Sequence, residues 1–175
     1  MNHNDHKQLL QKGIPGPGGV WADLGSGTGA FTLALADLIG PAGYIYSVDR
    51  DRSSLREQER TMRASFPAVR VEYILADFTQ QLALPPLDGI VMANSLHFVR
   101  KKDPVLQLLH SYLRPSGRLI LVEYNVDRGN PWVPYTFSYT TWEALAHHNG
   151  FTHTQLLEKR PSRFLGEIYS ALSLR

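Results

Sequence analysis

Short apolar runs alternate along this chain with longer segments in which apolar residues recur at helical spacing. The short runs are typical of parallel strands, and the helical segments are typical of the crossovers that join such strands. The predicted strands are Val20–Leu24, Tyr44–Val48, Val69–Leu75, Gly89–Ala93, Arg118–Tyr124, Thr152–Lys159 and Glu167–Leu174. A turn near Pro161 is predicted to join the last two strands into a C-terminal hairpin.

Four segments have the helical pattern, and each is followed by proline or glycine residues that stop a helix. They are Thr28–Ile39, Ser53–Ser65, Pro104–Leu113 and Thr141–His148. Residues 1–19 are expected to form a short cap or linker, with only one or two helical turns over His6–Lys12, and residues 20–175 a single domain. We expect His3 and His6 to lie in a frayed terminus, and we predict no metal site.

The turn after the first strand is the most informative segment. The strand ends on Asp23 and breaks into a turn with alternate glycines, Gly25, Gly27 and Gly29, before a helix begins. Glycine allows unusual backbone dihedrals and lets a ligand approach the main chain closely. This arrangement predicts a nucleotide-binding turn.

Two kinds of nucleotide cofactor fit such a turn. The segment Gly25–Ala30 satisfies the G-x-G-x-x-A pattern of nicotinamide dinucleotide sites, with Asp49 about 20 residues further on. That pattern does not include an acid two residues before the first glycine, where this chain has Asp23. Asp77, at the end of the third strand, and the predicted hairpin also argue against an NAD(P)-dependent oxidoreductase.

Acids at the ends of successive strands make the pattern more specific. The segment Asp23–Gly29, then Asp49, Asp77 and the segment Leu113–Leu119, resemble the class I S-adenosylmethionine-dependent methyltransferases. The resemblance covers nearly the whole chain from Val20 onward. It implies a Rossmann-like, doubly wound α/β sheet of seven strands, mostly parallel, with an antiparallel strand in the C-terminal hairpin.

The resemblance also implies S-adenosylmethionine as the cofactor, S-adenosylhomocysteine as the product, and a set of binding residues. Asp23 is expected near the methionine ammonium, Asp49 on both ribose hydroxyls, and Asp77 on the adenine amine. The full predicted set is Asp23, Gly25, Ser26, Gly27, Gly29, Asp49, Arg50, Asp77, Phe78 and Asn94. Arg50 departs from the apolar residue that often packs on adenine, although a guanidinium can stack on a flat ring. Taken singly, each of these acids can equally serve as a helix cap or an Asx turn.

Two residues are candidate catalytic groups, because a base is needed wherever the acceptor loses a proton. His97 follows the fourth strand and has the neutral pKa range of a base. Glu123 ends the fifth strand. The alternatives are that His97 only hydrogen-bonds its own loop, and that Glu123 pairs with Arg118 or another loop cation.

The acceptor is less clear from the pattern. Several aromatic residues lie between residues 132 and 139, where they can line a pocket or cover the sheet as core. The basic run Arg100–Lys102 can attract an anion or simply be solvated. We expect a small-molecule acceptor, and a homo-oligomer or a partner chain can complete the site. A cofactor-binding module without catalysis is the alternative function.

Composition limits the remaining classes. A chain of 175 residues with 43% hydrophobic content is enough for one domain with a real core. The net charge of +2 is too small to indicate a nucleic-acid surface, and the absence of cysteine excludes disulfides and thiolate chemistry. No stretch approaches about 20 apolar residues and the start is not a signal peptide, so we expect a cytoplasmic protein without a membrane anchor.

Overall fold

The computed structural model describes residues 1–175, which form one seven-stranded sheet. The strands are β1 Gly19–Leu24, β2 Gly43–Asp49, β3 Arg70–Leu75, β4 Leu87–Ala93, β5 Leu113–Tyr124, β6 Thr152–Ser162 and β7 Gly166–Leu174. Their spatial order is β3-β2-β1-β4-β5-β7-β6. Strands β1 to β5 are parallel, and β7 is antiparallel to both of its neighbours. The predicted fold class is therefore confirmed.

Helices cover both faces of the sheet. They are α1 His3–Gln11, α2 Ala30–Ile39, α3 Arg52–Ser65, α4 Asp103–Tyr112 and α5 Tyr139–His148, with a short 3₁₀ turn at Leu96–Phe98. Side chains of α1, α2 and α3 pack in one core, and those of α4 and α5 pack in the other. Both faces of the central strands are buried, which explains their continuous apolar sequences.

The order of the strands reverses between β1 and β4. From β1 the chain moves outward through β2 and β3, and it then returns to place β4 on the other side of β1. In an open α/β sheet, ligands bind in the crevice that this reversal leaves at the carboxyl ends of the strands. The glycine turn after β1 lies at that point.

The N-terminal segment differs from its prediction. It forms a regular helix, α1, whose first turn is closed by a reciprocal pair of hydrogen bonds between Asn2 and Asp5. Leu9 and Leu10 are fully buried, and His3 hydrogen-bonds Asp37 of α2 at 3.0 Å. The expected frayed terminus is therefore wrong, because the cap and the buried leucines order this segment.

Two predicted element boundaries also differ in detail. Strand β5 begins at Leu113, and residues 114–117 form a bulge, since Leu87 pairs with Leu113 while Gly89 pairs with Arg118. The last two strands extend to Ser162 and from Gly166, so the hairpin turns at residues 163–165 and not at Pro161. Within the fold, no helix is long and apolar enough to cross a membrane.

A tight contact between β1 and β4 provides a test of the core. Trp21 pairs with Gly89, and a Cβ added to Gly89 would overlap the indole ring of Trp21. We expect Gly89→Ala to lower the free energy of unfolding by about 1–3 kcal/mol through overpacking. Gly16→Ala is the matched control, since a Cβ there meets nothing within 4 Å. Urea unfolding measures both variants, and an unchanged midpoint for Gly89→Ala would contradict the packing.

Candidate active site

Two adjoining cavities lie at the carboxyl ends of β1 and β4. The larger, of about 590 Å³, contains the acids that follow β2 and β3. The smaller, of about 310 Å³, contains Asp23 and the start of α2. Gly25, Gly27 and Asn94 line both cavities, so the two form one elongated site that passes over the glycine turn.

The larger cavity has two carboxylates with acceptor capacity to spare. Asp49 accepts the backbone N–H of Gly27 at 2.7 Å on Oδ2 and that of Asp51 at 2.8 Å on Oδ1, which leaves one lone pair on each oxygen. Asp77 accepts the backbone N–H and the hydroxyl of Thr79 on Oδ1 alone, and these hydrogen bonds lower its pKa. Arg50 is exposed at the rim of this cavity.

The three glycines of the turn serve different purposes. All have positive φ angles, of 78°, 53° and 92° for Gly25, Gly27 and Gly29. A Cβ on Gly25 would approach Ser95 to 2.5 Å, and one on Gly29 would overlap Gln58, so these two glycines are needed for packing. A Cβ on Gly27 would meet nothing within 4 Å, since it would project into the open site. Gly27 is therefore the glycine that leaves room for a ligand.

A buried chain of hydrogen bonds supports the turn from below. Thr32 donates to Asp23 Oδ2 at 2.6 Å, and the Gln58 amide donates to the Thr32 hydroxyl at 2.5 Å. The carbonyl oxygen of Gln58 accepts from Ser47 at 3.0 Å and from Ser26 at 3.3 Å. This network joins β1, β2, α2 and α3 under the site, and all five of its side chains are buried.

Asp23 is an acid held almost entirely out of water. Burial raises its pKa from 3.8 to about 7, although the hydrogen bond from Thr32 opposes that rise. A carboxyl in this position gains most from a cation placed beside it, because the cation offsets the cost of ionisation. The smaller cavity is therefore suited to bind an ammonium group beside Asp23.

Asn94 forms the wall between the two cavities. Its φ of 52° lies in the left-handed region, which asparagine tolerates better than most residues, and its backbone N–H bonds Val122 in β5. The side-chain Oδ1 is buried and has no hydrogen-bond partner. A buried acceptor without a partner at this position indicates a ligand donor.

His97 and Glu123 form a buried pair that lines neither cavity but packs on Phe98, which lines the larger one. Nδ1 of His97 lies 2.7 Å from Glu123 Oε2, and the His97 backbone N–H donates to Oε1 at 3.2 Å. Their side chains are 3% and 0% exposed. Because the carboxylate accepts at Nδ1, the second ring nitrogen, Nε2, is free, and it makes no hydrogen bond within the protein. Glu123 does not pair with Arg118, which instead bonds the carbonyl of Gly13, and the catalytic role of the His97–Glu123 pair stays a prediction.

The aromatic stretch divides between core and surface. Phe137 is 3% exposed and packs on Trp142, whereas Trp132 is 71% exposed. Lys102 ties this loop to the segment after β4 by donating to the carbonyls of Val99 and Tyr135 at 2.9 and 2.8 Å. The stretch is therefore part core and part exposed surface, and none of its residues lines either cavity.

Comparison with known proteins identifies the fold's family. The family model described as "Methyltransferase domain" matches residues 17–160, which is most of the chain. The chain belongs to this methyltransferase family. Membership agrees with the resemblance carried by the glycine turn and the ordered acids.

Curated relatives of this methyltransferase domain include ubiquinone/menaquinone biosynthesis C-methyltransferases named UbiE. The protein from Pasteurella multocida (strain Pm70) is 31% identical over 105 residues, which cover 59% of this chain and 39% of that protein. The protein from Ectopseudomonas mendocina (strain ymp) is 29% identical over 130 residues, covering 70% of this chain and 50% of the relative. The chain thus spans half or less of the length of these two relatives.

Solved structures share the fold at low sequence identity. An S-adenosylmethionine-dependent methyltransferase from Aquifex aeolicus has a TM-score of 0.76 at 18% identity, covering 97% of this chain and 89% of that chain. The CurJ carbon methyltransferase has a TM-score of 0.74 at 16% identity, covering 94% and 50%. These likenesses establish the architecture alone.

Family membership implies S-adenosylmethionine as the cofactor, and three features of the site fit that group. The space beyond Gly27 admits a ligand against the backbone, and Asn94 presents a buried acceptor without a partner. Asp49 and Asp77 retain free acceptor positions in one cavity, while Asp23 lies in the other. All ten predicted binding residues except Gly29 line one or both cavities, and the individual binding roles stay predictions.

Sequence reasoning missed several supporting residues. Gln58 is fully buried, yet it lies in a helix so rich in charge that its pattern predicts a solvated face. Thr32 has no sequence signal beyond a place in an apolar helix. His6 was assigned to a frayed end, but it lines the smaller cavity. Only the order of the cap residues Asn2 and Asp5 signalled that this end is helical.

The raised pKa of Asp23 predicts that this residue lowers the stability of the fold while it strengthens binding of a cation. Because the folded pKa of about 7 exceeds the usual 3.8, ionising Asp23 costs stability above pH 7, and that cost disappears as the pH falls toward 4. We expect Asp23→Asn to raise the free energy of unfolding at pH 8 by at least about 1 kcal/mol, with a smaller gain at pH 5. The same variant is expected to weaken S-adenosylmethionine binding at least tenfold, since the ammonium loses its counter-charge.

Urea unfolding at the two pH values and calorimetric titration of the cofactor measure these effects. Asp37→Asn is the opposite-sign control, because hydrogen bonds from Lys7 and His3 lower the pKa of Asp37 and its ionised form stabilises the fold. If Asp23→Asn proves less stable than the natural chain at pH 8, the proposed cost of ionisation is wrong.

Proposed function

We propose that this chain transfers a methyl group from S-adenosylmethionine to a carbon atom of a small molecule, with His97 as the general base. The buried pair of His97 and Glu123 beside the elongated site carries this proposal. A general base contributes to the reaction where the acceptor must lose a proton. Carbon acceptors with weakly acidic C–H bonds need this most.

The residues of the larger cavity suit the nucleoside part of the donor. Asp49 has one free lone pair on each oxygen for the two ribose hydroxyls, and Asp77 Oδ2 is free to accept from the adenine amine. Arg50 can lie over the adenine ring as a flat cation. Asp23 in the smaller cavity is suited to the ammonium, and Asn94 Oδ1 can accept from the same group.

The pair of His97 and Glu123 is suited to moving one proton. Glu123 fixes Nδ1 in its protonated form and therefore leaves Nε2 as the base. When Nε2 takes a proton from the acceptor, the carboxylate beside Nδ1–H stabilises the imidazolium that forms. S-adenosylmethionine, when bound, supplies a methyl group on an activated sulfonium.

Positioning supplies the rest of the rate enhancement. Methyl displacement requires the acceptor, methyl carbon and leaving sulfur in line, so the protein has to hold both reactants and exclude water. Lys102 helps by fastening the aromatic loop to the segment that carries His97, and the Tyr135 backbone N–H adds a bond to the His97 carbonyl at 3.0 Å. These contacts fix the position of the segment that carries His97.

Two observations support a flat, apolar carbon acceptor. The ring of Phe98 lies 4.3 Å from that of His97, and the ring of Tyr124 lies 6.3 Å from His97 and 5.6 Å from Phe164, so aromatic side chains lie near the base. Phe98 is 57% exposed and Phe164 49% exposed, which leaves their faces available to a ligand. The curated relatives named above are C-methyltransferases, which agrees with a carbon acceptor.

The His97–Glu123 pair predicts that substitutions there lower turnover but leave donor binding nearly unchanged. We expect His97→Gln and Glu123→Gln to lower kcat by about 10²- to 10⁴-fold, while donor affinity stays within about threefold. The acceptor is first identified by incubating the chain with methyl-labelled donor and a cell extract, and the new bond is assigned by NMR. His148→Gln, in an exposed position on α5, is the control.

Normal turnover of the identified acceptor by His97→Gln would contradict the proposal that His97 is the general base. Label found on oxygen, nitrogen or sulfur would contradict the carbon acceptor. If the donor binds and no label transfers to any component of the extract, the non-catalytic binding module is the better interpretation.

A further inference from the structure

The smaller cavity contains one acid, Asp23, and no lysine or arginine lines it. Met1 also lines it, and burial together with the nearby amino group of Met1 lowers the pKa of His6. An amino-acid group such as the methionine part of the donor carries a carboxylate as well as an ammonium. That carboxylate needs hydrogen-bond donors of its own, since a buried anion without them is costly.

His6 is the imidazole in this cavity. It lies on α1, opposite the start of α2, and its ring packs on that of Phe31 at a centroid distance of 4.7 Å. Neither ring nitrogen makes a hydrogen bond within the protein, in contrast to His3 on the same helix, which bonds Asp37. The ring is therefore oriented by packing while its polar atoms stay free.

The helix that carries His6 is held in place from two sides. Lys7 pairs with Asp37 of α2 at 2.7 Å, and Asp5 pairs with Arg160 of β6 at 2.6 Å. Lys12, just after the helix, pairs with Glu158 of β6 at 2.9 Å. These contacts, together with the buried leucines of α1, make His6 part of the cavity wall rather than of a loose end.

We propose that His6 is a binding residue that donates a ring N–H to the carboxylate of the methionine group, while Asp23 takes the ammonium. This assignment rests on the proposed function for the identity of the donor. An imidazole provides such a donor in its neutral form as well as in its charged form. The start of α2, which has no side-chain cap, borders the same cavity and adds to the attraction for an anion.

The test compares two ligands that differ only in the amino-acid part. S-adenosylhomocysteine carries the carboxylate and the ammonium, whereas 5′-methylthioadenosine keeps the adenosine and the thioether and lacks both. We expect His6→Phe, which keeps the aromatic contact with Phe31, to weaken S-adenosylhomocysteine binding about 10- to 100-fold. Binding of 5′-methylthioadenosine is expected to change by less than about twofold. Calorimetric titration measures all four affinities.

His3→Phe is the matched control, because His3 lies on the same helix but contacts Asp37 and Phe66 outside the cavity. It is expected to leave both affinities unchanged. Circular dichroism and thermal melting confirm that α1 stays folded, and His6→Gln replaces His6→Phe in the same titrations if the latter melts early. Unchanged S-adenosylhomocysteine binding, or an equal loss for both ligands, overturns the role of His6. Failure of the natural chain to bind either ligand overturns the proposed function itself.

Discussion

The site depends on one buried hydrogen bond, from the hydroxyl of Thr32 to the carboxylate of Asp23. It fixes the end of β1 against α2, and Gln58 extends it to α3 and to the strand beside β1. The glycine turn lies directly above this chain of bonds, so its unusual dihedrals are maintained by polar contacts that water does not reach.

Two buried carboxyl groups lie at the ends of central strands, and their surroundings differ. Asp23 has only neutral partners, which leaves it responsive to an incoming cation. Glu123 already has the imidazole of His97 as its partner, so it orients that ring and needs no ligand to satisfy it. The two groups therefore suit the different roles proposed for them, because their immediate partners differ.

The exposed surfaces around the site have a common physical origin. Strand order reverses at β1 and β4, so the crossover helices leave a crevice at the carboxyl ends of these strands. Helix α1 borders this crevice through His6, and the aromatic loop is tied to the segment after β4. Both segments are held by lysines, since Lys7 pairs with Asp37 and Lys102 donates to backbone carbonyls. Changes in these two segments can therefore alter the surroundings of the site without changing the sheet.

The sequence by itself determined the strands, the glycine turn and the order of Asp23, Asp49 and Asp77, since these follow from periodicity and from backbone geometry over a few residues. It also identified His97 and Glu123 one at a time. Only the tertiary structure decided that these two pair across 26 positions, that His6 faces Asp23, and that Gln58 is buried. The physical reason is that a hydrogen bond between distant residues leaves no local pattern. Packing of whole elements, and not the residues beside each one, brings such partners within reach.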